Sequence, residues 1–600
     1  MPVLANSDGA LSPRFWGGLA VGLLAFAAYV LGATPTAYPL DSAELATAAF
    51  GLGVAHPPGE ETTLLLAKLF TLLPLGNVAF KVALSQAAAG AVAAVLVYLL
   101  AIDAGERIAL VTDSIGGKTL ALIAAAVALA FAFAPGVIIV SNRAEVYATQ
   151  TALSLAAIWL ALRAHVQDDP RPALLAALLI GLGVGNHSLV AGLVGVGAVA
   201  AAWPMLMRST VRARFVGLAL AAFAAGLLVH AYIPLRSAAL FASADRGIDN
   251  VLWGDGRSFD GFWWMVSART FAEKTGIVHG NATPWDLPFL PIEELTTIFA
   301  LIAPAGAYFL LRRSGSRVAG LALLLGTAGS MAAALIGGLD PGNPDIRGYL
   351  GPAFALIAAC SGIAIAVGTA LFRLRQMRVV LAAVFFVGAL TRFPSPSQYP
   401  GLRQAHAADA EVRGLLSDLP VGAALFTHHF ETGFLVGYER LVEGARPDVS
   451  WAHLAFAPNP SYAARVRAAR PELTAVIDVY RAHGRLAEAW LTLDHTHRVR
   501  VEPDAVTMAR MQSSMAPRGQ LWAPLGSYPA QETWAPLDGT ALAEAAQDRQ
   551  VRAYLAWRRY IDATYACQQA YPDRMRERFV ELAQLVPEDE RVRELRQQCE

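Results

Sequence analysis

Residues 119–140 read Thr-Leu-Ala-Leu-Ile-Ala-Ala-Ala-Val-Ala-Leu-Ala-Phe-Ala-Phe-Ala-Pro-Gly-Val-Ile-Ile-Val, a stretch without one charge. A run of about 20 apolar residues is the length of helix that crosses a bilayer core of about 30 Å. Lys118 precedes it, and Ser141-Asn142-Arg143-Ala144-Glu145-Val146-Tyr147 follows it. Similar runs lie upstream at about 15–33 and 79–101. Downstream they recur at about 147–164, 172–184, 188–206, 215–235, 293–311, 318–337, 350–372 and 379–393. The pattern predicts an α-helical polytopic membrane protein with about 11 transmembrane helices. The run Thr62–Leu75 is too short to span and reads as re-entrant or interfacial. The first run follows Arg14 and has no clean small-x-small cleavage site after it, so it reads as an uncleaved anchor.

Composition agrees with this reading. The 600 residues include 47 Lys+Arg and 47 Asp+Glu, so 16% are charged while 55% are hydrophobic. Mean hydropathy is +0.44. A soluble globular chain carries about 25% charge, so a disordered chain and an ordinary cytosolic enzyme are excluded. Zero net charge gives no electrostatic handle for nucleic acid. Of the 94 charged residues, 49 lie after residue 400. A membrane body, residues 1–393, is therefore followed by a soluble-like C-terminal domain, residues 394–600, with Pro394 and Pro396 marking the linker.

That domain reads as mixed α/β and then helical. Val421–Thr427 is a buried-strand pattern leading into a helix at about 431–443, and Val449–Phe456 is a second strand candidate. Leu542–Ala570 and Asp573–Leu585 are helical and could form stacked hairpins. Cys360 lies in an apolar run, which leaves Cys567 and Cys599 as the two cysteines that could pair. His428-His429 reads as structural, since a tandem pair is poor ligand geometry.

Orientation follows from the basic residues. With the N-terminus in the cytoplasm, Arg107 and Lys118, Arg163 and Arg171, Arg208, Arg212 and Arg214, Arg312, Arg313 and Arg317, and Arg373, Arg375 and Arg378 all fall inside. This requires that 172–206 be two spans. The C-terminal domain is then extracytoplasmic. The outer side receives a long first loop, 34–78, short turns near 141–146 and 185–188, and a loop at 236–292 carrying Trp253, Trp263, Trp264 and Trp285. The tryptophans predict short helices at the membrane interface.

The chemistry-bearing residues gather on that outer side. Asp41-Ser42-Ala43-Glu44 precedes His56-Pro57-Pro58-Gly59. Asp41 and Glu44 fit a capping box, and equally a carboxylate base with a second acid beside it. Arg143, Glu145 and Tyr147 fit an interface anchor or a pair lining a cavity. Asn186 and His187 sit in a tight turn between two apolar runs. Arg236, and then Asp345, Arg347 and Tyr349, lie at outer span ends. Either arginine could bind a lipid phosphate bidentately, or anchor the interface. Two acids could also hold a divalent cation, so metal involvement is left open. The chain has no phosphate-binding glycine loop of the Walker type, no HExxH, no CxxC and no GxSxG.

Asp-Ser-Ala-Glu followed by Gly-Leu-Gly-Val-Ala-His-Pro-Pro-Gly resembles the bacterial relatives of the vertebrate transmembrane protein O-mannosyltransferases. The Ala-Glu-Val-Tyr and Gly-Asn-His segments are also similar to that family's later motifs. The resemblance implies a GT-C glycosyltransferase. Such an enzyme moves a sugar, mannose in the namesake family, from a polyprenyl-phosphate donor to a protein or glycan acceptor hydroxyl on the outer face of the inner membrane. It places the essential acid at Asp41, with Glu44 as the second acid. His56, Arg143, Glu145, Tyr147, Asn186, His187, Arg236, Asp345, Arg347 and Tyr349 are candidate substrate or lipid-phosphate ligands. The chain departs from the pattern after Gly59, where Glu60-Glu61 replaces an apolar or aromatic residue and a proline. A flippase or transporter of lipid-linked sugars would need polar residues spread through the spans or an internal repeat, and neither is seen. An inactive scaffold would have no use for the intact acids.

Overall fold

The computed structural model describes residues 13–208, 212–243, 245, 247–274, 283–340, 343–393, 400–483, 489–490, 493–494, 497–504, 515–524 and 536–599. The linker prolines Pro394 and Pro396 lie outside the described residues. Every apolar run of the body is helical. Among the described residues six helices are long and apolar enough to cross a membrane, and up to eight if each of two bent pairs is one span. The run 119–140 is one such pair: Gly117–Ala132 and Pro135–Ser141 meet at 67°. Pro135 cannot continue the ladder of the first helix and starts the second at its first turn.

The helical stretch Pro170–Arg208 contains a non-helical residue, His187, at φ −152°, ψ 91°. A Cβ on Gly195 would lie 3.4 Å from Ile180, and one on Gly183 would lie 3.2 Å from Ala191. In a straight helix residues 180 and 195 would stand about 22 Å apart. The chain therefore folds back at His187 into a hairpin, as the basic-residue pattern requires. Tyr147–Gln167 and Arg375–Leu390 supply the remaining helices at the predicted runs. Leu23, Leu220, Leu301 and Val384 are exposed on these helices, which suits a lipid-facing surface.

Past residue 400 a helix, Ala407–Ser417, leads into a five-stranded sheet. Its strands are β1 (Ala424–Thr427), β2 (Ser450–His453), β3 (Arg500–Val501), β4 (Met515–Arg518) and β5 (Leu521–Pro524), in the order β2-β1-β3-β5-β4. β1 pairs in parallel with β2 and β3, and β5 is antiparallel to β3 and β4. Both predicted strands are present. The helices Arg549–Gln568, Pro572–Leu585 and Glu590–Cys599 follow, and Cys567 and Cys599 are disulfide-bonded. Cys360 is free and buried.

The C-terminal region is docked on the first loop. Thr36 Oγ1 donates to the Ala405 carbonyl at 2.8 Å, and the Tyr38 hydroxyl to both Asp548 oxygens at 3.0 Å. The Leu40 N–H donates to Glu431 Oε1 at 3.1 Å. Trp253 does not behave as an interface residue. The long loop pairs with the first one at Val54 and Leu252, and the Trp253 ring lies 5.6 Å from Phe430, stacked at 8°. Trp263 and Trp285 are exposed, as interfacial residues would be.

Candidate active site

The first loop is shaped by backbone that few residues adopt. Leu40, Leu52 and Glu60 have φ of 63°, 50° and 58°, and Gly59 has φ 108°, a conformation open to glycine. Non-glycine residues in this region cost about 1–3 kcal/mol each and persist where surrounding contacts hold them. Here Ser42 Oγ donates to the Ala144 carbonyl at 2.8 Å, fixing the helix Ser42–Gly51 to the turn at 141–146. Arg236 closes the other end of that helix, donating from Nε to the Leu52 carbonyl at 2.7 Å and from Nη2 to the Gly51 carbonyl at 3.3 Å. A cation at a helix C-terminus also suits the helix dipole. Arg236 is thus committed to carbonyls rather than gathered with the acids.

These constraints bring His56 back over the helix start. Its backbone N–H donates to Glu44 Oε1 at 2.7 Å, and its Nδ1 lies 3.1 Å from Glu44 Oε2. Its Nε2 is 3.1 Å from Glu60 Oε1 and 3.9 Å from Asp41 Oδ2. Burial alone would depress this imidazole. The carboxylates of Glu60, Glu44 and Asp41 outweigh burial and hold its pKa well above the usual histidine value. His56 thus has an acid on each ring nitrogen, which favours its protonated form. Burial in turn pushes Glu60 up to about 7, against the pull of His56. Its Oε2 is buried without a hydrogen-bond partner.

The capping-box reading of Asp41 and Glu44 is overturned. Asp41 stands at the N-cap position, but its side chain makes no capping bond, and Glu44 is turned to His56. The reason is burial: Glu44 is inaccessible and needs a cationic partner more than an exposed N–H does. Asp41 is 39% exposed and is the carboxylate of this group that an incoming molecule can reach.

A second group abuts the first. Arg143 is fully buried, its Nη2 being 2.6 Å from Asp345 Oδ1 and 3.0 Å from Glu145 Oε1. An interface anchor would be solvated, so that alternative fails for Arg143 and Glu145. Burial raises the pKa of Glu145 and of Asp345, Arg143 opposes it, and the charge of Asp41 adds to the rise in both. Nε and Nη1 of Arg143 are buried without hydrogen-bond partners. Tyr147, His187 and Tyr349 form a ring cluster beside this group, with centroids 4.6 Å apart for His187 and Tyr349 and 5.6 Å for the other two pairs. Gly348 permits it: a Cβ there would lie 2.2 Å from the Tyr147 ring. Asn186 holds the hairpin turn, accepting from the Thr63 N–H at 3.1 Å and donating to the Val146 carbonyl at 3.1 Å. Arg347 turns elsewhere, with Nε 2.7 Å from Glu294 Oε1.

Two acids belong here that the spacing did not single out as site residues. Glu60 has been described. Glu431, from the C-terminal region, reaches the Leu40 N–H next to Asp41, and burial pushes it up to about 7. Glu61 makes a separate buried pair, its Oε1 being 3.1 Å from His230 Nδ1. For a cation, Asp41, Glu44 and His56 offer atoms within 4.8 Å of one another. Both His56 nitrogens already face carboxylates, so a metal would have to displace Glu44 or Glu60.

Residues 41–212 match the family described as Protein O-mannosyl-transferase TMEM260 N-terminal domain. A 59-residue stretch is 56% identical to the Protein O-mannosyl-transferase TMEM260 of Mus musculus. It covers 10% of this chain and 8% of the mouse protein, so the match spans under a tenth of that relative. Among solved structures, ArnT from Cupriavidus metallidurans bound to undecaprenyl phosphate aligns over 87% of this chain and 100% of its own, with a TM-score of 0.52 and 12% identity. The chain is O-mannosyl-transferase-like over the segment that begins at Asp41, and GT-C-like in fold, as the motifs of the first loop imply.

Proposed function

We propose that this GT-C-like membrane protein is a glycosyltransferase that moves a sugar from a polyprenyl-phosphate donor to an acceptor hydroxyl at the outer membrane face. The observation that carries this reading is the asymmetry of its acids. Asp41 is accessible, while Glu44 and Glu60 are buried and clamp His56 beside it. Similarity to an O-mannosyl-transferase domain makes mannose the first sugar to test.

In the proposed reaction Asp41 accepts the proton of the acceptor hydroxyl as that oxygen bonds to the anomeric carbon. The bond from that carbon to the phosphate oxygen breaks, and its electron pair leaves with the polyprenyl phosphate. A single displacement inverts the sugar. The His56 imidazolium faces the growing charge on the phosphate, with the Arg143 guanidinium buried behind it. Positioning and charge stabilisation supply most of the rate. Glu44 and Glu60 keep the imidazole protonated and fixed.

The orientation proposed has the N-terminus in the cytoplasm and the C-terminal region outside. The disulfide between Cys567 and Cys599 supports it, since such bonds persist in oxidising compartments. The deciding experiment is Asp41→Asn in membranes supplied with polyprenyl-phosphate mannose and a hydroxyl acceptor. Transfer is expected to fall by about 10²–10⁴-fold, the usual contribution of a positioned base. Undiminished transfer would remove Asp41 from that role.

A further inference from the structure

The function above leaves a cavity of the C-terminal region unused. A cavity of about 440 Å³ lies where the end of β1 meets the helices Arg549–Gln568, Pro572–Leu585 and Glu590–Cys599. That volume lies within the range of ordinary ligand sites. One of its walls is a run of rings. Tyr554 lies 6.2 Å from His429, His429 lies 6.0 Å from Trp557, and Trp557 lies 6.2 Å from Tyr560. Trp557 is exposed on this wall.

Charge and position give the cavity a direction. Arg549 and Arg552 line it and make no ion pair among the described residues, whereas Arg591 is neutralised by Asp589 at 2.7 Å. Glu431 lines it as well, and the same carboxylate accepts the N–H of Leu40, the residue before Asp41. Asp548, which begins the arginine-bearing helix, is bonded to Tyr38 of the same loop. The cavity thus shares one wall residue, Glu431, with the loop that carries Asp41, and two guanidinium groups without an ion pair among the described residues line its side.

Resting on the glycosyltransferase reading, we infer that this cavity holds the acceptor, and that the acceptor is an extended polypeptide segment with acidic residues near the modified hydroxyl. A neutral oligosaccharide could stack on these rings, but it would leave Arg549 and Arg552 without an anion, whereas an acidic peptide supplies one. The lining offers Leu582, Val586 and Val592 with the rings for apolar side chains, and two arginines for carboxylates. A lipid phosphate would need a route to the bilayer, whereas this cavity is built wholly from the C-terminal region.

The test measures binding of short labelled peptides to the full-length protein without donor, so it does not depend on turnover. Each peptide carries one threonine flanked by Asp and Glu, by Ala, or by Lys. The acidic peptide is expected to bind best. R549A/R552A, two substitutions at solvent-accessible positions, should weaken it about tenfold. R549E/R552E should reverse the preference toward the Lys peptide, and Trp557→Ala should weaken all three alike. Equal binding of the acidic peptide to wild type and both double variants would overturn the inference. So would displacement of a bound neutral oligosaccharide probe, but of no peptide, by the same substitutions. The two proposals fail separately. Loss of transfer in Asp41→Asn with no arginine effect on binding leaves the glycosyltransferase and removes the groove. Arginine-dependent binding with no sugar transfer leaves the groove and removes the glycosyltransferase.

Discussion

The first-loop cluster and the arginine network around Glu411 and Asp562 both bury charge, and they do so in opposite ways. In the C-terminal region Glu411 lies between Arg558 and Arg559 at 3.2 and 2.6 Å. Burial would raise its pKa, but the two guanidinium groups overcome burial and bring it down to about 2. Asp562 likewise faces Arg574 and Arg578 at 2.8 and 2.9 Å. In the first-loop cluster Asp41, Glu44, Glu60, Glu145, Asp345 and Glu431 gather around His56 and Arg143, and at Glu60 and Glu431 burial wins, pushing both up to about 7. Matched buried charge holds a fold together. Mismatched buried charge stores protons near neutrality, which is what proton transfer needs.

The contrast can be broken by substitution. Glu411→Ala should cost most, about 3–5 kcal/mol, because it removes the carboxylate that two buried guanidinium groups share and leaves Arg558 with Glu502 and Arg559 with Glu581 alone. Chemical denaturation would show it, with transfer per folded molecule unchanged. A stability loss under 1 kcal/mol would mean the C-terminal network is not the strut described.

Glu60→Gln should do the reverse. Glu60 has a folded pKa near 7, above its unfolded value of 4.5, so its charged form is penalised in the fold. That penalty is absent below about pH 4.5, grows as pH rises toward 7, and is constant above. The amide cannot ionise. It should therefore leave stability near pH 4 unchanged and raise it at pH 8 by roughly 1–3 kcal/mol, while slowing transfer by loosening His56. Thermal melts across that pH range check the sign, and destabilisation at pH 8 would place Glu60 with the matched charges. Glu431→Gln should follow the same profile, and its smaller effect on rate would separate the two acids.

Arg236→Ala should cost least, about 1.5 kcal/mol, because it removes a charged donor from two carbonyls of the helix that carries Asp41 and Glu44. Transfer should fall a few-fold through displacement of that helix. A larger loss with intact stability would return Arg236 to a direct role with the lipid phosphate.

Much of the fold was legible because hydropathy is a local property. Each predicted run is helical, two of them broken by a sharp bend, and the hairpin at His187 agrees with the placing of the arginines on one side. Asp41 and Glu44 were legible as neighbours from their spacing, whereas the turn at Pro57-Pro58 allowed His56 either to face them or to lie at the surface, and the fold chose the first. Other features were hidden by distance along the chain. Arg143 and Asp345 are separated by 202 residues, and Leu40 and Glu431 by 391. Glu60 was passed over as a departure from a motif, because its reach to His56 depends on a left-handed backbone that its own identity does not predict. Trp253 looked interfacial by composition, yet strand-like pairing of two loops carries it against Phe430.

The sequence alone therefore determined a membrane body and a first loop rich in acids, since partition into a bilayer and turn geometry are set within about 20 residues. Tertiary structure decided which carboxyls share a cation and which of them water can reach. Proton affinity depends on burial and on charges a few ångströms away, and those neighbours come from four widely separated stretches of chain.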